Sequence, residues 1–593
     1  MRSGQRQTSG RRTGKSARLH DRGDPGRLHI DAEALLVTAI SLRSELSGIT
    51  LPFSAPSTET SRHSAATAVQ QLDDYIVPRL SSLDAPALAV IGGSTGAGKS
   101  TPVNSIIGAD VTRPGVLRPT TTAPVLVHHP DVAAAFEGDR VLGGLARVSG
   151  SAATGAAELE IVASTTLSAG LAILDAPDID SVVSQNRQLA GQLLEAADLW
   201  VFVTTAARYG DAVPWRFLRD AAARGVVLAL VINRIPPGAT AEVVAHFTEM
   251  LEAEGLHDAP LFAFEEQTLD DGRLPASEVD ELGSWLEQVA SDRAVRAEVV
   301  RRTLTGALGA LSDRADEVAT ALADQQRISD ALLASAAAPF NLARAQLSTE
   351  VRDGTVMRGE VMARWADLVG TGELLRQLQS KLGRWRDRVT AAVTGRPTES
   401  DRFQGALESG VETLVRARVA EATAAASEAW RAHPAGAALL DEADDDLTRP
   451  SPDLPERAES MIRSWQEGLL DLLRTEGANK RSTARALSYG VNGMALVLMV
   501  ATFAHTGGLT GAEVAIAGGS SAVGQKLTEA LLGDQAVRKL AADARTDLDR
   551  RFGVLIDREA NRYRSQVFDR GFDPGAAERL AGLIQQLRRG VNR

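Results

Sequence analysis

From residue 85 to about 265, short apolar runs alternate with segments of helical periodicity. The runs are PALAVIGG (86–93), APVLVHH (123–129), LAILDAP (171–177), LWVFVTT (199–205), VVLALVINR (226–234) and PLFAF (260–264). Near-continuous apolar strands separated by helices predict a mainly parallel sheet with helices on both faces. Ahead of them, DAEALLVTAISLRSEL (31–46) and SAATAVQQLDDYIVPRL (64–80) carry apolar residues at helical spacing on either side of the Pro/Ser-rich TLPFSAPSTET. After about residue 295 the strand pattern stops. Leu304, Leu308, Leu311, Val318 and Leu322 recur at helical intervals, as do Leu407, Val411 and Leu414, and Leu548, Phe552 and Leu555. Such stripes predict long helices packed as a bundle, with DDDLTRPSPDLPE (444–456) read as a linker between two bundle segments.

One stretch departs from amphipathic patterning. ALSYGVNGMALVLMVATFAHTGGLTGA (486–512) holds no Asp, Glu, Lys or Arg, and VAIAGGSSAVGQ continues the apolar character after Glu513. Its most apolar part, Val491 to Ala504, is shorter than the roughly 20 residues that span a bilayer. The whole run is long enough for a hairpin turning at HTGGLTG, with Arg481, Arg485 and Lys526 flanking it on the cytosolic side. Two readings stand: a membrane-inserted hairpin or paddle, and a helical hairpin buried in protein.

Composition narrows the choices. The 593 residues are 44% apolar and 24% charged, ordinary for a globular chain and too long for one core. No cysteine is present, which removes disulfides, thiolate metal sites and a cysteine nucleophile from consideration and suits a reducing compartment. A formal net charge of −12 argues against a nucleic-acid coat. Residues 1–27 run against that balance, with eight Arg/Lys to two Asp. They read as a disordered basic arm without the apolar core of a signal peptide.

The candidate chemistry lies at the end of the first run, in IGGSTGAGKS (91–100). Gly92-Gly93-Ser94-Thr95-Gly96 fits a hydrolase nucleophile elbow. Gly93 followed by four residues and Gly98-Lys99-Ser100 is a complete phosphate-binding loop pattern, placed between a strand and a helix start. The second reading is the stronger. Glycines let backbone N–H groups face a phosphate, and the helix N-terminus adds its dipole. Lys99 is the only lysine between residues 16 and 380 of a chain otherwise served by arginine. That fits a cradle too tight for a guanidinium. The loop residues Gly93, Ser94, Thr95, Gly96, Ala97, Gly98, Lys99, Ser100 and Thr101 are thus candidate nucleotide contacts. Lys99 would reach the terminal phosphates, and Ser100 would ligate Mg²⁺. Asp175, at the end of LAILD, is the candidate metal-side carboxylate. Thr120, Thr121 and Thr122 form a polar run in which Thr121 is the favoured switch residue, ligating metal and sensing the γ-phosphate. His128-His129 has no spaced partner and reads as structural.

These motifs, with RPTT, LDAPD and VINR in order over about 150 residues, resemble the translation-factor-related GTPases and, within them, the bacterial dynamin-like large GTPases. The resemblance implies an α/β GTPase domain joined to a long all-α stalk with a hydrophobic tip. It implies GTP and Mg²⁺ as cofactors, hydrolysis activated by dimerisation of the nucleotide-binding heads, and a possible second dynamin-like partner. It implies a membrane-remodelling or tethering role on the cytoplasmic side of the inner membrane. Two departures bear on it. The D-x-x-G motif reads Asp175-Ala176-Pro177-Asp178, which sets Asp178 near the γ-phosphate as a catalytic candidate. Ile179 then occupies the place of a water-orienting glutamine. The N-K-x-D motif reads Asn233-Arg234-Ile235-Pro236, so Asn233 and Arg234 can flank a base, but Pro236 accepts nothing from guanine, and ATP stays open beside GTP. Arg208, Tyr209 and Asp211 are read either at a dimer face or in a helix-capping turn around Pro214.

The expected organisation is a basic arm (1–27), N-terminal helices packing with stalk or neck (28–84), the GTPase domain (85–295), a helical stalk (296–480), a membrane hairpin or paddle (481–532) and C-terminal stalk helices (533–593). The competing function is a soluble nucleotide-binding switch with slow hydrolysis, whose uncharged hairpin packs in a protein interface. Ala/Arg-rich, Lys-poor usage suggests a bacterial chain from a GC-rich genome.

Overall fold

The structure is a computed structural model that describes residues 32–112, 123–136, 138, 141–150, 157–180, 184–371, 374, 398–479, 491–503 and 535–591. The chain divides into two compact units. The first holds residues up to 51, 57–323 and 573–593, and the second holds 52–56 and 324–572.

In the first unit, helices α1 (Ala32–Ser47), α2 (Thr58–Gln71) and α3 (Val77–Ser81), the last two joined by a π turn at Leu72–Ile76, precede the sheet. Eight strands follow: β1 Ala87–Gly93, β2 Val125–His128, β3 Ala146–Ser149, β4 Glu158–Ala163, β5 Leu171–Asp175, β6 Leu199–Thr205, β7 Val227–Ile235 and β8 Leu261–Glu265. Between and after them lie α4 (Ser100–Ile107), α5 (Ser184–Glu195), α6 (Ala212–Ala223), α7 (Thr240–Ala253), α8 (Ala276–Ser291) and the long α9 (Arg293–Arg352). The order across the sheet is β3-β4-β2-β5-β1-β6-β7-β8. Every neighbouring pair is parallel except β2 with β5.

Strand alternation sorts the core into two layers. Leu88, Val90, Leu174, Phe202 and Leu230 pack with Leu189 and Leu193 of α5, Trp215 and Leu218 of α6 and Phe247 of α7. Ala89, Ile91, Ile173, Val201 and Val231 pack on the opposite face with Val103 and Ile107 of α4, Leu282 and Leu286 of α8 and Val299 of α9. Because both faces are covered, β1, β5 and β6 are buried along their whole length, the pattern their apolar runs predict. β3 and β4 were not anticipated. They lie toward one edge, and their sequences ARVS and ELEIVA are only partly buried, so neither shows a continuous apolar run.

The unit extends beyond 85–295. Helix α1 packs against the C-terminal helix Ala576–Val591, where Arg579 pairs with Glu45 at 3.0 Å.

Among its described residues the second unit holds helices and no strand: the later part of α9, then α10 (Glu360–Gly370), α11 (Glu399–Arg431), α12 (Pro434–Glu442), α13 (Leu454–Asn479), α14 (Val491–Phe503) and α15 (Gln535–Phe568). Leu407 and Val411 of α11 are buried as their spacing predicts, Leu414 is only partly buried, and Val415 and Val419 continue the buried stripe. Residues 444–456 are not a free linker, since Leu447 and Leu454 join this core.

Helix α14 does not support the expected transmembrane helix. Its described residues are Val491–Phe503. Met494 through Ala501, and Phe503, lie in the core of the second unit. Phe503 meets Trp465 of α13 edge-on at 5.5 Å. Arg545 of α15 donates to the carbonyl oxygens of Ala501 and Thr502 at 2.7 and 2.6 Å. Among the described residues no helix is long and apolar enough to cross a membrane. The rest of the expected hairpin, 481–490 and 504–532, lies outside the described residues.

Candidate functional site

The loop after β1 stands at the centre of the sheet, flanked by β5 and β6, at the carboxyl ends of parallel strands where open α/β sheets place their ligands. Its turn requires glycine. Gly93 has φ 155°, and a Cβ there would lie 2.0 Å from the Val203 carbonyl oxygen of β6. Gly98 has φ 80°, and a Cβ would stand 2.8 Å from Nδ2 of Asn233. Between them Ser94, Thr95, Gly96 and Ala97 complete the loop. Lys99 is the cap of α4, which opens with Ser100 and Thr101.

Lys99 is 6% exposed. Its ammonium lies 3.4 Å from the carbonyl oxygens of both Gly93 and Ser94 and ion-pairs with Asp178. Asp178, expected beside the terminal phosphate, is therefore bound to the cation that would hold it. The segment carrying it runs along the loop: the Ala176 amide donates to Ile91 O at 3.0 Å and the Ile179 amide to Gly93 O at 3.3 Å.

Ser100 Oγ donates to Asp175 Oδ2 at 2.6 Å. Asp175 is wholly buried, and its Oδ1 has no hydrogen-bond partner. Burial pushes its carboxyl up to about 6, while hydrogen bonding from Ser100 and the Lys99 charge pull it back. Hard divalent cations take oxygen ligands. A serine hydroxyl beside a buried carboxylate with one uncommitted oxygen fits such an ion, and Ser100 and Asp175 are the residues that would hold Mg²⁺. Thr121, with Thr120 and Thr122, lies outside the described residues.

Burial of the Asp175 carboxyl has a measurable cost. The folded carboxyl titrates near 6 against a reference of 3.8, so the folded state binds the proton better between those values. The penalty for ionising Asp175 is absent below about pH 4 and complete above about pH 6, where a shift of this size amounts to roughly 3 kcal/mol at most. In metal-free protein, Asp175→Asn should therefore raise stability at pH 7.5 by roughly 1–3 kcal/mol and leave it little changed at pH 4. Urea denaturation at the two pH values tests this, and an Asn variant less stable at pH 7.5 would refute it.

Asn233 and Arg234 reach the loop from the end of β7. Asn233 Nδ2 donates to Ala97 O at 2.9 Å. The Arg234 guanidinium lies 3.7 Å from where a Gly98 side chain would begin, and Arg234 itself has φ 55°. Pro236 is spent on the turn into α7, its carbonyl accepting from the Ala239 amide at 3.0 Å.

The structure also assembles contacts the motifs do not announce. Asp180 Oδ1 accepts from the Thr95 amide at 2.5 Å and the Thr95 hydroxyl at 2.7 Å. Arg208 donates to Asp180 Oδ2 and to Thr95 O, each at 2.7 Å. Its Nε donates to Asp211 Oδ2 at 2.9 Å. Asp211 precedes α6 but makes no side-chain capping bond, so its carboxylate serves Arg208 and not the helix. Tyr209 packs edge-on against Phe247 at 5.4 Å and shares a 2.7 Å hydrogen bond with His246. The one available sequence hint was a pair of acids two residues apart, Asp178 and Asp180, just after a strand end.

The nucleophile-elbow alternative is not met: Ser94 Oγ is buried without a hydrogen-bond partner, so no base activates it. His128 stacks on Phe136 at 5.8 Å, and Nδ1 of His129 accepts from the Asp131 amide at 3.1 Å. Among the described residues no cluster of three or more His, Asp or Glu could hold a metal.

No protein-family model matches the chain. No curated protein matches it. Among solved structures, two chains of an oligomerised bacterial dynamin pair, described as a mechanism for long-range sensing and tethering of membranes, align at 10% identity and TM-score 0.37. They cover 95% of this chain and 95% and 99% of their own. LeoA, a bacterial dynamin GTPase from ETEC, aligns at 12% identity and TM-score 0.23 over 95% of this chain and 98% of its own. Scores this low carry no argument about the present chain.

Proposed function

We propose that the chain is a Mg²⁺-dependent nucleoside-triphosphate hydrolase, with GTP as the expected substrate, whose helical unit acts on membrane. One observation carries the nucleotide reading. The glycine-built loop holds a buried lysine, and directly beside it Ser100 meets a buried Asp175 with a spare oxygen. Lys99 would exchange Asp178 for the terminal phosphates, and Ser100 with Asp175 would hold the metal. The metal would supply positive charge for the phosphate oxygens as the bond to the leaving diphosphate breaks. Asn233 and Arg234 flank the far side of the loop, where a base would lie. Self-association through the nucleotide-binding faces is part of this reading.

Membrane action is inferred from the sequence beyond Phe503, which runs from Ala504 to Ala512 without Asp, Glu, Lys or Arg and continues as VAIAGGSSAVGQ after Glu513. The burial of α14 supports a second reading, a soluble switch whose apolar segment stays within protein. Flotation of the full-length protein with anionic liposomes, under GTP, ATP or no nucleotide and with phosphate release recorded, separates the two. The first reading expects the protein to float, with GTP turnover raised by lipid. Protein that stays soluble under every condition, binding both nucleotides with negligible turnover, would leave the switch.

A further inference from the structure

We propose that Thr95 and Asp180 form the water-orienting pair of this hydrolase and that Arg208 is the residue that positions them. The proposal rests on the nucleotide reading above. Phosphoryl transfer to water needs a group that holds the attacking water in line with the bond that breaks, and Ile179, directly after Asp178, supplies none. The Lys99 ammonium, against Gly93 O and Ser94 O and paired with Asp178, marks where a terminal phosphate would exchange for a carboxylate. Thr95 is the next residue of that loop, and Asp180 lies two residues beyond Asp178.

The hydrogen bonds commit the pair to accepting. The Thr95 hydroxyl hydrogen is spent on Asp180 Oδ1 at 2.7 Å, which leaves the hydroxyl lone pairs to accept a hydrogen bond from water. Asp180 Oδ2 is held by Arg208. Despite burial, hydrogen bonds from Thr95 and the Arg208 charge keep the Asp180 carboxyl below the usual range, so it remains an acceptor at neutral pH. Arg208 ties both members together, donating to Asp180 with one terminal nitrogen and to Thr95 O with the other. Its Nε is held by Asp211.

In the step so arranged, the water oxygen bonds to the terminal phosphorus. The bond to the bridging oxygen breaks, and its electron pair leaves on the nucleoside diphosphate. Both water protons depart on the inorganic phosphate as H₂PO₄⁻. The pair orients the water and retains no proton.

The test is single-turnover GTP hydrolysis by full-length protein, alongside affinity for a fluorescent GTP analogue. Thr95→Ala and Asp180→Asn should slow hydrolysis about 100-fold, the cost of mis-aiming a reacting group, with affinity within about 3-fold of the parent and little change in melting temperature. Thr95→Ser should recover most of the rate, and Arg208→Ala should lose about 10-fold. Should Thr95→Ala fail to fold, Asp180→Asn, which keeps the side-chain shape, decides. Parental hydrolysis rates in Thr95→Ala and Asp180→Asn would overturn the pair, as would a loss confined to KM. If the parent bound no nucleotide, the function reading would fall and take the pair with it, an outcome distinct from intact binding with unaffected hydrolysis.

Discussion

Lys99→Ala is expected to lower nucleotide affinity by at least 100-fold, about 3 kcal/mol or more. The substitution removes the one ammonium held against the loop at Gly93 and Ser94, and with it the charge-assisted bonds to the terminal phosphates. No other lysine lies between residues 16 and 380. Among the described residues, Arg208 is committed to Asp180, Asp211 and Thr95, and the Arg234 guanidinium lies beside Gly98. The loss has a second component. Lys99 and Asp178 are both nearly buried, with side chains 6% and 10% exposed, so alanine also leaves a carboxylate where phosphate should bind. Lys99→Ala/Asp178→Asn should therefore recover part of the affinity. Titration with a fluorescent GTP analogue decides the matter, and parental affinity in Lys99→Ala would end the phosphate-loop assignment.

The largest effect on stability is expected at Asp198, a residue no motif contains. Asp198→Ala should destabilise the first unit by about 3–5 kcal/mol, the usual result of breaking a buried ion pair from one side. Asp198 is wholly buried before β6. Its carboxylate accepts the Leu88 amide of β1 at 2.8 Å, the Tyr75 hydroxyl at 3.1 Å and the Arg79 guanidinium. Its main-chain carbonyl accepts the Thr303 hydroxyl of α9 at 2.7 Å. One residue thus ties the N-terminal helices, two central strands and α9 into one unit. Arg79 keeps weaker bonds to Ala85 O and Pro86 O at 3.2 and 3.3 Å, so some of its charge stays solvated by backbone. Asp198→Asn, which retains an acceptor for Leu88, should cost less than alanine. Because the chain has two units, amide hydrogen exchange in β1 and β6 is the suitable readout. Protection equal to the parent in Asp198→Ala would contradict the role.

The six apolar runs were legible as β1, β2, β5, β6, β7 and β8: the first five because a strand buried on both faces must be apolar at nearly every position, and β8 because LFAF is apolar although its positions alternate between buried and partly buried. β3 and β4 escaped for the converse reason: ELEIVA alternates as a half-buried strand does, and ARVS is mostly wet. The antiparallel meeting of β2 and β5 had no local signal, since strand sense follows from the path of the connections. The site shows the same division. The pattern from Gly93 to Ser100, Asp175 at a strand end, and Asn233 with Arg234 were all marked beforehand, and the structure brings them together. Asp178 was marked too, but its engagement with Lys99 was not foreseen.

By itself, the sequence determined the elements whose requirements are local. A loop that needs φ above zero at Gly96 and Gly98 must write glycine there, and a helix or strand must write its period. Tertiary structure alone decided the pairings of Asp178 with Lys99, Asp180 with Thr95 and Arg208, and Asp198 with Arg79. An acid can be met by any cation the fold delivers, and these partners stand tens of residues away. It also decided the surroundings of Val491–Phe503. Moving apolar surface out of water is favourable whether protein or lipid receives it, so composition cannot tell the two apart. In the folded chain the contacts of Phe503 with Trp465, and of Arg545 with the carbonyls of Ala501 and Thr502, place these residues in protein.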